Sequence, residues 1–224
     1  MKRVLSILVV AGIFSCALVG LNAYSSSKST GNDPTKLSKE ALNAKSTKAA
    51  KSEAKKLKKE GWTTTPGALP IEKQLDKSYL MQYEFDDTGY PTYIMGEAMS
   101  IGENYDAAKM QALELAKQNL SGQVQTEMTA LIENNVANTQ LSAEQAASVS
   151  SSVLASKNLI SQSLGRVIPV VEVYRTNSVK NKEVLVRIAY NRAQAVEAAK
   201  QAIRTDLEAK GDKMQDQLDK ALGL

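Results

Sequence analysis

An apolar stripe at helical spacing runs through the middle of the chain and narrows the choice of fold class. After Asp106 the apolar residues recur every three or four positions. They are Ala112, Leu113, Ala116, Leu120, Val124, Met128 and Leu131. This spacing predicts one long amphipathic helix, with Asn104 or Asp106 as its N-cap. A second helix is expected from Ser142 to about Leu164.

Three segments around these helices are typical of strands. Tyr93 to Gly102 carries small residues on part of one face, which suits close packing by a helix. Arg166 to Arg175 and Glu183 to Tyr190 are rich in β-branched residues and are separated by the polar loop 177–182. Because Pro169 has no N–H for a ladder, we expect it at an edge or a bulge.

The order of these elements, with a final helix capped by Asn191, is β-α-α-β-β-α. It predicts an α+β domain over 62–210, in which a small three-stranded, mostly antiparallel sheet packs on long helices. We expect the helices on one face of the sheet, a basic N-terminal helix or arm before the domain, and an amphipathic tail at 211–224.

The N-terminus has the pattern of a secretory signal peptide. Lys2 and Arg3 precede a nearly uncharged apolar run over 4–21, and small residues around Ala23 suit cleavage there. We therefore expect 1–23 to be a signal peptide and the protein to be exported, periplasmic or associated with the outer membrane.

Cys16 allows a competing interpretation. Ile13-Phe14-Ser15-Cys16 loosely resembles a lipobox, which would make Cys16 a lipidated first residue. The bulky Phe14 and the apolar residues after Cys16 favour cleavage at Ala23 instead. A retained, uncleaved anchor is the third alternative.

The chain has no His, and Cys16 is its only Cys. After cleavage at Ala23, Ser-His-Asp and Cys-His catalysis, Cys or His zinc sites and disulfides would all be excluded. We therefore expect a fold held by packing alone, and no cofactor.

Basic charge is concentrated before the domain. The linker 24–61 holds ten Lys against four acidic residues, within a chain of net charge +4. A helix ending at Gly61 fits this segment, since lysines near a C-terminus complement the helix dipole. Its apolar face, Leu42, Ala49 and Leu57, is thin, so it is either a solvated helix or spacer, or a segment that contacts an anionic surface. The lysines proposed for that contact are Lys51, Lys55, Lys56, Lys58 and Lys59.

The strand Gly96-x-Ala98, Gly102, the helix start Tyr105-Asp106-Ala107-Ala108-Lys109 and the closing hairpin together resemble a known family. It is the small bacterial outer-membrane lipoprotein family typified by the twenty-kilodalton surface lipoprotein of gastric bacteria. The resemblance covers roughly Ile94 to Ile203. It implies an envelope protein of structural or uncharacterised role, with no catalytic residues to carry over.

Other candidate sites are weak. Glu97 and Glu103 are the acids that a glycosidase-type pair would use, but their spacing is unremarkable. Asp86-Asp87-Thr88-Gly89 indicates a turn rather than a calcium loop, because the closing Glu is absent. The only Trp, Trp62, is expected to pack at the edge of the core.

Two functions from different classes remain. The favoured one is a non-enzymatic envelope protein that acts as a structural or protein-interaction module, binding an envelope protein or a copy of itself. Its Lys-rich arm would contact anionic lipid or the cell wall. The alternative is a carboxylate-dependent hydrolase of envelope glycans. Nucleic acid is not expected as a partner, because Arg166, Arg175 and Arg187 lack aromatic stacking platforms.

Overall fold

The computed structural model describes residues 43–137 and 142–209. The expected signal peptide, Cys16, the spacer before residue 43, the break at Gly211 and the C-terminal tail lie outside the described residues. The helices and strands given below all belong to one compact unit that begins at Ala44.

A three-stranded antiparallel sheet and six helices make up the described part of the chain, which confirms the predicted α+β fold class. The elements are α1 (Lys48–Lys59), α2 (Ile71–Gln82), β1 (Tyr93–Gly102), α3 (Tyr105–Ala137), α4 (Ala143–Ala155), α5 (Lys157–Ser163), β2 (Ile168–Thr176), β3 (Lys182–Asn191) and α6 (Arg192–Ala209). The strand order is β1-β3-β2, so β1 and β2 are the two edges.

The closing hairpin forms where it was predicted. The Asn177 side chain accepts hydrogen bonds from the backbone N–H groups of Val179 and Asn181, and Lys180 takes a positive φ of 66°. A bulge between Pro169 and Val171 shifts the β2–β3 register. The expectation of an edge or bulge at Pro169 is therefore confirmed.

The first face of the sheet carries Ile94, Gly96, Ala98, Val184, Val186 and Ile188, and it packs on α3. Small residues bring helix and strand very close together. A Cβ added to Gly96 would lie 2.3 Å from the Ala116 carbonyl oxygen, and one added to Gly102 would lie 2.8 Å from the Ala108 nitrogen. Glycine at these two positions is what lets the helix backbone approach the strand.

Every fourth residue of α3 from Ala108 to Ile132 is fully buried. Four residues turn an α-helix by about 400°, so the buried stripe rotates by about 40° at each step. At 33 residues, α3 is also much longer than the ten-residue β1. The buried residues of its first half are mainly alanines, and this half packs on the sheet. The buried residues further along are larger, and they contact α4, α5 and α6.

The second face of the sheet is covered in part by α2, on which α1 packs, so the expectation of helices on one face is wrong. A separate apolar cluster forms there around Leu75 of α2. Its other buried members are Ala50, Ala54, Trp62, Ile71, Val171 and Val173. Hydrophobic periodicity did not predict this arrangement, because α1 contributes only alanines and a partly buried Leu57 to the cluster.

The predicted helix from Ser142 to Leu164 is divided in two. The Ser156 side chain is buried and donates a 2.6 Å hydrogen bond to the Val153 carbonyl. Such a bond competes with the helical backbone pattern, and α4 ends at Ala155 before α5 begins at Lys157. At the start of α3, the Ala107 N–H donates to the Asn104 side chain at 2.9 Å, so Asn104 is the cap.

Candidate functional site

The start of α1 is tied to α2. Thr47 caps the helix by accepting a hydrogen bond from the Ala50 N–H at 3.2 Å, and its hydroxyl donates to Asp76 at 2.6 Å. Partial burial raises the pKa of Asp76, but hydrogen bonds from Thr47 and Ser46 outweigh it and hold this pKa below its usual value. The carboxylate therefore stays charged and fixes the position of α1.

The end of α1 is closed by Gly61, as predicted. Gly61 has a φ of 87°, its N–H donates to the Lys58 carbonyl at 3.1 Å, and the Trp62 N–H donates to the Leu57 carbonyl at 3.0 Å. These two bonds form a Schellman motif. They turn the chain so that Trp62 enters the second cluster, where it is buried as expected for a packing residue.

The buried side of α1 differs from the predicted one. Ala50 and Ala54 are buried in the second cluster, whereas Ala49 is exposed, so the predicted apolar face was rotated by one residue. Alanines allow a close approach, and periodicity alone could not choose between Ala49 and Ala50. Leu42 lies outside the described residues.

Four lysines lie together on one side of α1, and this set (Lys51, Lys55, Lys58 and Lys59) is called the lysine flank below. At 100° per residue they fall within an arc of about 100°. They line a groove of about 580 Å³ with Ala54 and Glu72. Lys51, Lys55 and Lys59 follow one another at a rise of about 6 Å. The fifth predicted lysine, Lys56, is exposed on another side of the helix and does not line the groove.

One lysine of the flank is neutralised and three are available to a ligand. Lys58 Nζ lies 3.0 Å from Glu72 Oε2. The backbone hydrogen bond of Glu72 and then Lys58 lower the pKa of this carboxyl. Within residues 43–137 and 142–209, Lys51, Lys55 and Lys59 make no ion pair. The groove therefore carries a net positive charge on a partly apolar floor.

The opposite side of α1 is held by a carboxylate. The Tyr79 hydroxyl of α2 donates a hydrogen bond to Glu53. Burial and the nearby Glu53 raise the pKa of Tyr79 to about 12. Because Glu53 is occupied in this way, α1 has distinct basic and acidic sides, and only the basic side borders the groove.

Glu97 and Glu103 do not form a catalytic pair. The two residues are six positions apart along extended chain, which separates them by about 20 Å, far more than a glycosidase pair allows. Glu97 lies 2.5 Å from an Arg187 nitrogen, and Arg187 also donates to the Ser78 hydroxyl at 2.8 Å. Glu103 is exposed after the strand. Glu97 thus joins strands and helix on the second face.

The remaining sequence candidates have structural roles. Asp86 accepts bonds from the Thr88 and Tyr90 N–H groups at 2.9 and 3.0 Å, which confirms the predicted turn. Arg175 stacks over the Trp62 ring at 4.5 Å and bonds to Glu183 at 2.6 Å. Among the described residues, no group of three or more acidic, Cys or His side chains could hold a metal ion.

A polar cluster that no sequence pattern predicts joins α3 to β2. Glu172 on β2 accepts a hydrogen bond from the Tyr105 hydroxyl and another from Lys109 at 2.9 Å. Burial, followed by the hydrogen bond to Glu172, raises the pKa of Tyr105. Glu172 lies more than sixty residues from both Tyr105 and Lys109 in the sequence, so no local motif could reveal the cluster.

Comparisons with known proteins give no match: none to a protein-family model, none to the curated proteins and none to the solved structures. The resemblance to small outer-membrane lipoproteins therefore stays a prediction. Among the helices that the structure describes, none is long and apolar enough to span a membrane.

Proposed function

We propose that this protein is a non-enzymatic interaction module of the cell envelope that contacts an anionic surface through the lysine flank of α1. Export of the chain, by the leader at 1–23, belongs to the same proposal. The observation that carries it is the convergence of Lys51, Lys55, Lys58 and Lys59 on one groove of a helix that is anchored at both ends.

The anchoring of α1 at both ends favours binding to a surface. Lysines on a preformed helix lose less conformational freedom on binding than lysines on a disordered arm, so more of their electrostatic attraction appears as affinity. The 6 Å rise between Lys51, Lys55 and Lys59 lets each reach a separate negative group. A lysine near an anionic bilayer contributes about 1 kcal/mol.

The test uses vesicles of phosphatidylglycerol and phosphatidylcholine, with pure phosphatidylcholine as the uncharged control. The full chain is compared with a flank variant in which Lys51, Lys55 and Lys59 are changed to Gln. Three lost contacts of about 1 kcal/mol each predict roughly a hundredfold weaker binding to anionic vesicles. Raising the salt concentration should weaken wild-type binding in the same direction.

A matched control removes the same charge elsewhere. The variant Lys56→Gln, Lys77→Gln, Lys180→Gln has the same net charge as the flank variant, but its three exposed positions lie off the groove. It should keep nearly all of the wild-type affinity. Equal losses in the two triple variants would show that only net charge matters and would refute the lysine flank as a site.

A further inference from the structure

At both edges of the sheet, some of the outward-facing backbone groups already have hydrogen-bond partners. On β2, Thr63 and Tyr174 exchange two backbone hydrogen bonds of 2.8 Å, and Gln74 accepts from the Glu172 N–H at 2.7 Å. On β1, Asn119 donates to the Glu97 carbonyl at 2.8 Å and Gln123 donates to the Met95 carbonyl at 2.7 Å. Side chains of α3 thus close the first half of the β1 edge.

The second half of the β1 edge is open. In an antiparallel strand, alternate residues turn both backbone groups to the same side, so Met99 and Ile101 face outward as Met95 and Glu97 do. Neither has a hydrogen-bond partner on that side among the described residues. Their side chains are 46% and 50% exposed.

An exposed leucine of α3 extends this open segment. Gln111, Asn119 and Gln123 all bond to β1, and they are spaced by four or eight residues along one side of α3. Leu115 lies between them in the same row and is 38% exposed. The Met99 and Ile101 side chains lie on the second face of the sheet, and Leu115 lies with α3 on the first face. Apolar side chains thus flank the open edge on both faces, and we call these three residues the edge strip.

We infer that the edge strip is a dimer interface, in which β1 of one copy pairs antiparallel with β1 of a second copy about a two-fold axis near Ser100. Met99 of each copy then lies opposite Ile101 of the other. The two pairs make four backbone hydrogen bonds and join the sheets into six strands. The ladder ends at Glu97, because Asn119 already occupies its carbonyl.

A second copy fits this edge because the strip is complementary to itself. A two-fold interface needs the same patch on both partners, and here Met99 of each copy meets Ile101 of the other. Edge strands that stay unpaired commonly carry Lys or Pro, whereas the open positions here are Met and Ile. Glu97 and Glu103 would face each other at the ends of the ladder, and Arg187 already neutralises Glu97.

The dimer would also serve the proposed function, on which this part of the inference rests. A two-fold axis perpendicular to the sheet keeps both second faces on the same side. Both α1 helices, and thus both lysine flanks, would then lie on the same side of the joined sheets, and simultaneous contact of two flanks with one anionic surface would gain from effective concentration. The ladder itself is short, so we expect a dimer that dissociates on dilution.

The first test measures the mass of the full chain by sedimentation equilibrium over a range of concentrations. Wild type should show a monomer–dimer equilibrium, and Ile101→Lys should raise the dimer Kd by about tenfold or more, since it places a charge in the ladder. The control is Met110→Lys, which changes a 73% exposed residue on the opposite side of α3 and should leave the Kd unchanged. A wild-type chain that is monomeric at every concentration would overturn the inference.

The second test examines the register without weakening the dimer. In a Cys16→Ser background, Ser100→Cys places two thiols opposite each other across the axis, within the Cα distance that a disulfide needs. Mild oxidation should cross-link this variant much faster than Ser178→Cys in the hairpin loop. Equal rates would contradict the register. If the Ile101→Lys variant is monomeric and still binds anionic vesicles, the proposed function holds without the dimer. The two proposals can therefore be refuted independently.

Discussion

On the first face of the sheet, α3 approaches β1 closely through backbone atoms and small side chains, with a row of polar side chains bonded to β1 along the outer edge. On the second face, no such close backbone approach is seen among the described residues, and long polar side chains join the helices to the strands around a smaller apolar cluster. Gly96 and Ala116 nearly touch on the first face. On the second, Arg187 links Glu97 to Ser78, and Gln74 reaches the Glu172 backbone. The first face therefore tolerates no added volume, and the second depends on hydrogen bonds.

The largest effect should come from one methyl group on the first face. Gly96→Ala puts a Cβ 2.3 Å from the Ala116 carbonyl oxygen, so α3 must move away from the strand. We expect a loss of about 3 kcal/mol in the free energy of unfolding, measured by urea denaturation. Gly165→Ala adds the same methyl at an ordinary 3.6 Å from the Tyr190 hydroxyl and should change stability little. Similar losses in both variants would argue against the close approach.

Truncation on the second face should have a comparable cost through a different cause. Leu75→Ala leaves a cavity at the centre of the second cluster, where the leucine is fully buried, and should lower the free energy of unfolding by about 3 kcal/mol. Leu80→Ala, on the exposed side of the same helix, is the control. If Leu75→Ala were as mild as Leu80→Ala in the same denaturation experiment, α2 would not be packed on the sheet.

Each polar link on the second face should contribute less to the free energy of unfolding. Arg187→Met removes the bridge from β3 to Glu97 and Ser78, and we expect about 1 to 2 kcal/mol less stability because the guanidinium is only partly buried. A double-mutant cycle with Glu97→Gln isolates the pair. Coupling of about 0.5 to 1 kcal/mol would support a true interaction, and additive effects would deny it.

The smallest effect is a pH dependence on the second face. The pKa of Tyr79 is raised from 10.0 to about 12, so folding favours the neutral phenol. Its contribution to stability is fully present below pH 10 and is lost as the pH rises towards 12. Tyr79→Phe should therefore lose less stability than wild type over this interval. If Tyr79→Phe lost as much stability as wild type over this interval, Tyr79 would be excluded as the source.

The same contrast explains how far the sequence could predict the structure. Helical spacing and β-branched segments indicated α3 and the hairpin, and the small residues at Gly96 and Ala116 indicated close packing, because these signals are local. Gln74 and Ser78 of α2 are polar residues, and no local pattern marks them as buried. Their partners, Glu172 and Arg187, lie about a hundred residues away. No spacing rule links them, so the coverage of the second face was missed.

The sequence predicted which lysines could belong to the candidate site, but not how they are arranged in the structure. The sequence identified the lysines of α1 as a basic segment, but it could not decide between a solvated helix or spacer and a segment that contacts an anionic surface. The anchoring by Thr47, Asp76 and Ala54 depends on contacts with α2 and the sheet. Only those contacts separate Lys56 from the four lysines of the flank.

The proposed binding by the lysine flank requires α1 to be a folded part of the domain before any anion binds, and hydrogen exchange tests this directly. In the full chain without lipid or polyanion, the α1 amides from Ala50 to Lys59 should be protected together with those of α2. Adding anionic vesicles should change their protection only modestly. Exchange of the α1 amides at unfolded rates, with protection gained only when vesicles are added, would contradict the account and make α1 an arm that folds on contact.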